Sequence, residues 1–193
     1  MLEVLTIPNI LTLLRLVAIP VFLILLVDFR YREALAVFVA AGITDALDGA
    51  IARLTHTKTT LGAYLDPAAD KLLLMSAFVA LAIMQEVPRW LTVVVLSRDV
   101  ILVGGYFLLF TMTGRAMEVR PAIAGKVSTF MQITAVTLVL VARVRPGAIP
   151  AGMEGMLFLA TGIITAVAGL QYMARGLIWL QGQGAGGGPA GAT

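Results

Sequence analysis

Cysteine is absent from the 193 residues of this chain, and charged residues make up only 13% of it. The absence of cysteine excludes a disulfide framework and any metal site built on thiolates. A soluble domain usually carries about 25% charged residues, so this chain is poor in charge. The formal net charge is +3, and no basic block predicts binding to nucleic acid. A mildly basic chain of this kind fits a protein that rests against anionic lipid.

Apolar residues are abundant instead, at 60% of the sequence, and they form runs separated by short polar stretches. A helix needs roughly 20 apolar residues to cross the hydrocarbon core of a bilayer. Six candidate spans follow: Ile10–Val27, Ala34–Ala52, Leu65–Met84, Pro88–Met112, Val127–Ala142 and Gly152–Ala174. The sequence therefore predicts an all-α integral membrane protein with six transmembrane helices. One domain is expected over residues 1–175, followed by a flexible glycine-rich tail over residues 176–193.

The basic residues between these spans predict an orientation. Seven would flank the spans on the side of the termini, namely Arg15, Arg53, Lys58, Arg115, Arg120, Lys126 and Arg175. Five would lie on the other side, namely Arg30, Arg32, Arg89, Arg143 and Arg145. Positively charged loops tend to remain in the cytoplasm, so both termini are expected there. The predicted location is the inner, cytoplasmic membrane.

Four aspartates occupy one short stretch of this apolar chain, "GITDALDGAIARLTHTKTTLGAYLDPAADK", residues 42–71. Asp45, Asp48, Gly49, Ala52 and Arg53 have the spacing i, i+3, i+4, i+7 and i+8, which places them on one face of a helix. Gly62, Asp66 and Asp70 follow with the spacing i, i+4 and i+8. Two antiparallel helices could turn these faces toward each other and gather four carboxylates at the membrane boundary.

Such a cluster is typical of a cation site. Four close carboxylates would repel one another, and divalent cations remove that repulsion. Oxygen ligands suit Mg²⁺, Mn²⁺ or Ca²⁺ better than zinc. Arg53 would supply a fork that binds phosphate, while Gly49, Ala52 and Gly62 leave room for a ligand. The pattern predicts a metal-dependent site for a phosphorylated, membrane-borne substrate; the alternatives are structural ion pairs or a pathway for protons or cations.

The same eight residues resemble the signature of the CDP-alcohol phosphatidyltransferase family, D-x2-D-G-x2-A-R-x8-G-x3-D-x3-D, and they fill every fixed position. The segments "IPNILTLLRLVAIPVF" and "LGAYLDPAADKLLL" look like those of bacterial phosphatidylglycerophosphate synthases. The resemblance covers about residues 5 to 175, and it implies a fold of six helices. It also implies transfer of a phosphatidyl group from CDP-diacylglycerol to an alcohol, with release of CMP.

The resemblance implies roles for the signature residues. Asp45, Asp48 and Asp66 would bind two Mg²⁺ or Mn²⁺ ions, and Asp70 would act as a further ligand, as the base that accepts the proton of the acceptor alcohol, or as both. The cytidine diphosphate would lie along Asp48, Gly49, Ala52, Arg53 and Gly62. The expected partners are CDP-diacylglycerol, a glycerol-type acceptor, the lipid bilayer and a second copy of the chain in a homodimer.

Two cations outside the signature are candidates for binding the acceptor. Arg98 lies inside the fourth span, where a charge is costly and usually functional. Lys126 begins the fifth span. The alternatives are that Arg98 pairs with Asp99 or a signature carboxylate, and that Lys126 is an anchor at the interface. Lys71 points about 100° away from Asp70 on a helix and could simply neutralise charge.

The choice of acceptor divides the resemblance into two branches. Phosphatidylglycerophosphate synthases tend to have a second arginine where this chain has Tyr106, whereas "SRDV" and "GKVSTFMQ" look more like eukaryotic-type cardiolipin synthases. Glycerol 3-phosphate is the favoured acceptor, with phosphatidylglycerol as the alternative. A membrane prenyltransferase with aspartate-rich motifs and an ion carrier are more distant alternatives. Neither accounts for the arginine and glycines in register with the aspartates.

Overall fold

The computed structural model describes the backbone of residues 7–55, 60–113, 123–150 and 152–185, but it does not describe the side chains of residues 45–70. All regular secondary structure in these ranges is helical, which confirms the all-α prediction for this part of the chain. The helices are α1 (Ile7–Val27), α2 (Tyr31–Thr55), α3 (Thr60–Ile83), α4 (Arg89–Thr113), α5 (Ile123–Val144) and α6 (Met153–Ala185).

The helices are generally longer than the apolar runs that predict them. In α2 the helix continues past Ala52 to Thr55, and α3 begins at Thr60 rather than at Leu65. In α6 it passes the expected domain boundary after Arg175 and ends at Ala185, because "LIWLQ" extends the apolar helical pattern. Residues 186–193 of the expected tail lie outside the described residues, and the division into domain and tail stays a prediction.

The helices pack into one bundle. α1 packs against α2 and α3, α6 packs against α4 and α5, and α5 also contacts α2 and α3. Among the side chains that the structure describes, the buried apolar core comes from the C-terminal halves of α1, α3 and α5 and the N-terminal halves of α2, α4 and α6. Its members include Phe22, Leu26, Phe38, Phe78, Leu81, Leu91, Val95, Val139, Leu140 and Phe158. These halves meet at the end of the bundle that holds Glu86, called here the Glu86 end.

Tight turns join the helices at this end. Phe29 and Gln85 adopt positive φ angles of 57° and 63°, directly after α1 and α3. The amide of Arg30 then donates to the carbonyl of Leu25, and that of Glu86 donates to that of Leu81, each at 2.9 Å or less. These are the bonds of a Schellman motif, which satisfies the last carbonyl groups of a helix. The turns therefore reverse the chain within a few residues and hold α1 beside α2 and α3 beside α4.

The outer faces of the helices are apolar. Exposed large side chains occur on every helix, for example Val17, Ile83, Val103, Phe130 and Leu177. A soluble monomer rarely exposes so much apolar surface, whereas a lipid-facing bundle requires it. By length and composition, two of the described helices could each cross a membrane, in Ile123–Val144 and Met153–Gln181. Shorter apolar helical stretches are found in Leu13–Val27 and Lys71–Ile83.

Candidate active site

The eight signature residues lie on two unbroken helices. Asp45, Asp48, Gly49, Ala52 and Arg53 belong to α2, and Gly62, Asp66 and Asp70 belong to α3. The spacing argument depends on continuous helix, and the backbone provides it. Their side chains lie outside the described residues, as does His56. These positions occupy the C-terminal half of α2 and the N-terminal half of α3, which is the end of the bundle opposite Glu86 and is called here the signature end.

A cluster of three charged residues follows the signature directly. Lys71 lies next to Asp70 on α3, and its Nζ donates to Oδ1 of Asp99 on α4 at 2.9 Å. The NH1 group of Arg98 donates to the same oxygen at 2.6 Å. Asp99 is 5% exposed and Arg98 is 9% exposed, whereas the side chain of Lys71 is 40% exposed. One buried carboxylate thus accepts hydrogen bonds from two cations on two helices.

Arg98 lies between two glycines of neighbouring helices. A Cβ atom added to Gly125 on α5 would be 3.3 Å from NH2 of Arg98, and one added to Gly169 on α6 would be 3.5 Å from its Cγ. Small residues at these two positions therefore let the arginine pass between the helices. The Nε atom of Arg98 is buried and has no hydrogen-bond partner among the described residues. The alternative pairing of Arg98 with Asp99 is thus present, and it leaves part of the guanidinium unused.

Lys126 occupies a different environment. It lies in the first turn of α5, next to Gly125, and its side chain is exposed. No ion pair joins it to another side chain in the described part of the chain. Its position beside the glycine that contacts Arg98 is compatible with a role near the acceptor. An exposed lysine at a helix terminus is equally typical of an interfacial anchor.

Uncharged polar side chains continue this polar region into the bundle. The hydroxyl groups of Ser128 on α5 and Thr165 on α6 share a hydrogen bond of 2.9 Å, and Nε2 of Gln132 donates to both at 3.2 Å. All three residues are buried. Arg15 of α1 is also buried. Buried polar groups that satisfy one another in this way fix the register of two helices. These residues therefore hold α5 against α6 about one helical turn from Gly125 and Gly169, the glycines beside Arg98.

A second polar network closes the Glu86 end. The Tyr31 hydroxyl donates to Oε1 of Glu86 at 3.1 Å, and Nε of Arg143 donates to Oε2. Arg143 also faces Glu154 at 3.9 Å. Burial, followed by the charge of Glu86, raises the pKa of the Tyr31 phenol, which favours the protonated hydroxyl that donates to Glu86. This network joins α2, α5 and α6 to the α3–α4 turn. It lies at the opposite end of the bundle from the signature residues.

Several of these contacts could not be anticipated from the sequence. Adjacent Gly104 and Gly105 look like sites of tight packing, but a Cβ atom on Gly104 would meet nothing within 4 Å in the described part of the chain. The close approach is at Gly162, where an added Cβ atom would be 2.5 Å from the Trp90 ring. Nothing local distinguishes Gly125, Gly162 and Gly169 from the other glycines. The "SRD" triplet was the one signal that pointed to Asp99.

Comparison with known proteins agrees with this geometry. The sequence model of the CDP-alcohol phosphatidyltransferase family matches residues 5–173. A probable phosphatidylglycerophosphate synthase of Mycobacterium tuberculosis is 36% identical over 176 residues, which cover 88% of this chain and 80% of that protein. A probable CMP-forming cardiolipin synthase of Drosophila melanogaster is 32% identical over 186 residues, covering 89% of this chain and 58% of the fly protein. A putative cardiolipin synthase of Mycobacterium tuberculosis is 36% identical over 129 residues, covering 66% and 61%. This chain therefore belongs to the CDP-alcohol phosphatidyltransferase family of phospholipid-synthesising enzymes.

Proposed function

We propose that this enzyme transfers the phosphatidyl group of CDP-diacylglycerol to glycerol 3-phosphate, giving phosphatidylglycerophosphate and CMP. The observation that carries the proposal is the complete eight-residue signature on the continuous helices α2 and α3. The relative named as a phosphatidylglycerophosphate synthase supports the choice of acceptor, because its match covers 80% of its own length.

The reaction is a displacement at phosphorus. The acceptor hydroxyl oxygen forms a bond to the phosphatidyl phosphorus, and the bond from that phosphorus to the bridging oxygen of the diphosphate breaks. CMP leaves with the electron pair of the broken bond, and a base takes the hydroxyl proton. Asp70 is our choice for that base, since it lies one turn beyond Asp66 on α3 and next to the charged cluster that begins at Lys71.

The donor set fits hard divalent cations. Asp45, Asp48, Asp66 and Asp70 offer only carboxylate oxygens, the ligands that Mg²⁺ and Mn²⁺ prefer, and they occur one turn apart on two helices. We assign two ions to these four residues. When bound, such ions neutralise the diphosphate and the developing charge on CMP.

The remaining signature residues would bind the nucleotide. Arg53 would hold a phosphate through two parallel N–H donors, which a lysine cannot do. Gly49, Ala52 and Gly62 are small, and small residues allow the cytidine diphosphate to approach the helix backbone. Asp48 would contact both the ions and the nucleotide.

The acceptor phosphate would bind at Arg98, with Lys126 at the entrance. Arg98 and Lys71 together carry two positive charges against the single carboxylate of Asp99, so the cluster keeps a net positive charge. A buried arginine whose Nε has no hydrogen-bond acceptor among the described residues suits a phosphate in a site that excludes water. The cation-rich region begins immediately after the signature, where an acceptor must lie to reach the phosphatidyl group.

Phosphatidylglycerol is the second candidate acceptor, and the enzyme would then be a cardiolipin synthase. The segments "SRDV" and "GKVSTFMQ" favour it, and both lie in the region around Arg98. Relatives from the fly and from Mycobacterium tuberculosis carry that name. Phosphatidylglycerol also presents a phosphate to Arg98, so the buried arginine alone does not separate the two acceptors.

In the membrane we propose six transmembrane helices with both termini in the cytoplasm and the signature end at the cytoplasmic surface of the inner membrane. The apolar outer faces of all six helices support this arrangement. A homodimer is the proposed assembly.

The function is tested by incubating the purified protein with CDP-diacylglycerol carrying a radiolabel in the cytidine and with a panel of alcohols. We expect CMP release that depends on glycerol 3-phosphate, stops with excess chelator and returns with Mg²⁺ or Mn²⁺. The same assay with phosphatidylglycerol decides the second candidate. Release that needs no alcohol acceptor, or full turnover in excess chelator, would contradict the proposal.

A further inference from the structure

Asp99 holds an unusual position for a residue next to an arginine on the same helix. Consecutive side chains on an α-helix point about 100° apart, so they do not normally face each other. Here Arg98 bends back so that NH1 reaches Oδ1 of Asp99 at 2.6 Å. The bond fixes the end of a long side chain that would otherwise have considerable rotamer freedom. The orientation of Arg98 therefore depends on Asp99.

Contacts on the other sides complete the restraint. The stem of Arg98 passes Gly169, and its NH2 group lies against Gly125. These glycines limit the space on α5 and α6 but offer the guanidinium no side-chain partner. In the described part of the chain, Asp99 is the carboxylate that pairs with Arg98.

Lys71 connects this pair to the signature. It reaches the same Oδ1 atom from α3, and it directly follows Asp70 in the sequence. The shared oxygen thus joins the part of α3 that carries Asp66 and Asp70 to the part of α4 that carries Arg98. A shift of α3 relative to α4 would alter the Lys71–Asp99 bond, and with it the surroundings of the carboxylate that holds Arg98.

We propose that Asp99 is a positioning residue of the transfer reaction: it orients Arg98 toward the acceptor phosphate and, through Lys71, couples that cation to the metal-binding half of α3. This inference rests on the proposed function, since it gives Arg98 the acceptor. Asp99 itself touches neither the acceptor nor the reacting phosphorus in this scheme. Its effect is on the acceptor, because the nucleotide is assigned to α2 and the first turns of α3.

A purely structural ion pair is the alternative, and the molecule offers a matched control for it. Glu86 is also a carboxylate that accepts hydrogen bonds from two elements, Tyr31 and Arg143, but it lies at the opposite end of the bundle. Removing its charge should reduce stability without affecting either substrate. Removing the charge of Asp99 should affect the acceptor selectively.

The test compares Asp99→Asn, Asp99→Glu, Lys71→Met and Glu86→Gln in purified enzyme. Steady-state kinetics give KM for glycerol 3-phosphate, KM for CDP-diacylglycerol and kcat, and thermal unfolding in detergent gives Tm. For Asp99→Asn we expect the acceptor KM to rise roughly tenfold or more while the CDP-diacylglycerol KM stays within about twofold. Asp99→Glu should restore part of the acceptor affinity, and Lys71→Met should raise the acceptor KM by a smaller factor. Glu86→Gln should lower Tm and leave both KM values unchanged.

The outcomes separate the two levels of the proposal. Equal changes in both KM values for Asp99→Asn, or an unchanged acceptor KM in an active protein, would overturn the positioning role while leaving the proposed function in place. If Asp99→Asn does not fold, Asp99→Glu tests the positioning role, because it keeps the charge but displaces the carboxylate, and an unchanged acceptor KM would overturn that role. Lys71→Met tests the coupling, because it retains the Arg98–Asp99 pair and alters a side chain that is already partly exposed. An unchanged acceptor KM in that variant would refute the coupling. A wild-type enzyme that transfers to no glycerol-type acceptor would refute the proposed function, and the positioning role with it.

Discussion

At the scale of single residues, Arg98 is a buried charge that is only partly paired within the described part of the bundle. It is 9% exposed, it pairs through one nitrogen with Asp99, and no described residue accepts a hydrogen bond from its Nε atom. A charge inside an apolar bundle is expensive and therefore usually functional. The incomplete pairing distinguishes it from Arg143, which bonds directly to Glu86 and also faces Glu154 at the opposite end.

Replacing Arg98 should therefore impair use of the acceptor. We expect Arg98→Ala to raise the KM for glycerol 3-phosphate by well over tenfold, which corresponds to roughly 1.4 kcal/mol or more of lost binding free energy. With phosphatidylglycerol the loss should be smaller, because the lipid tails still bind. Parallel kinetics with both acceptors measure this difference. An unchanged KM for each acceptor would remove Arg98 from the acceptor site.

Arg53 should be sensitive even to a conservative change. A lysine keeps the positive charge but loses the two parallel donors that bind a phosphate. We expect Arg53→Lys to lose most of the transfer activity while the protein keeps its Tm. Arg32→Lys is the control, since Arg32 is exposed near the start of α2 and remote from the signature. Wild-type rates in Arg53→Lys would exclude the assigned contact.

At the scale of secondary-structure elements, the turn after α3 contains a removable strain. Gln85 adopts a φ of 63°, which costs a residue with a Cβ atom roughly 1–2 kcal/mol. Glycine adopts this conformation freely but gains entropy in the unfolded chain. We expect Gln85→Gly to increase the free energy of unfolding by about 0.5–1 kcal/mol, measured as a higher Tm. Gln85→Ala is the control: it keeps the Cβ atom, so its free energy of unfolding should not increase. An equal increase in both variants would show that loss of the glutamine side chain, and not relief of the backbone, is responsible.

The contact between α4 and α6 depends on the absence of a side chain at Gly162. A Cβ atom there would be 2.5 Å from the Trp90 ring, so Gly162→Ala forces the indole to move. Overpacking of this kind typically costs about 1–3 kcal/mol, and we expect a lower Tm. Gly155→Ala is the control on the same helix, because nothing lies within 4 Å of the added atom. Trp90→Phe should relieve the effect, since it removes the ring atoms in contact; destabilisation that persists in the double variant would have another cause.

At the scale of the whole molecule, the described side chains differ along the bundle. Among them, the buried phenylalanines and leucines lie toward the Glu86 end, while the charged cluster and the buried Ser128, Gln132 and Thr165 lie nearer the signature end. Tight turns and the Glu86 network fix the first end. This framework supports the helices that carry the charged cluster of Lys71, Arg98 and Asp99.

The orientation of the two ends of the bundle relative to the membrane can be measured directly. Because the chain contains no cysteine, a single introduced cysteine is the one thiol that can be labelled. Single cysteines at His56→Cys and Ala148→Cys place one thiol in the α2–α3 connection and one at the exposed Glu86 end. Treatment of intact cells with an impermeant maleimide should label Ala148→Cys only, with the wild-type chain as the unlabelled control. Labelling confined to His56→Cys would reverse the proposed orientation.

The parts of this architecture that the sequence revealed are those with local causes. Six helices follow from apolar runs, and the signature follows from fixed spacing on two of them. The predicted helix ends are less accurate, because apolar length marks the part suited to lipid, whereas polar residues beyond the apolar runs, such as Arg53 and Thr60, remain helical. The Lys71–Asp99 pair spans 28 positions and the Glu86–Arg143 pair spans 57, so both depend on how the helices pack. No local pattern in the sequence distinguishes Gly162 from the other glycines. Its importance comes from the Trp90 ring of α4, which packs against it.

The placement of Arg98 on α4, between Gly125 of α5 and Gly169 of α6, has an evolutionary consequence. The residues proposed to hold the nucleotide and ions are on α2 and α3, so the determinants of the donor and of the acceptor occupy different helices. A duplicated copy of the enzyme could change its acceptor through substitutions on α4, α5 and α6 and inherit the donor half intact. Two relatives of this chain carry names that differ in the product, one a probable phosphatidylglycerophosphate synthase and the other a probable cardiolipin synthase. In such a lineage, residues near Arg98 should diverge between branches faster than the aspartates do.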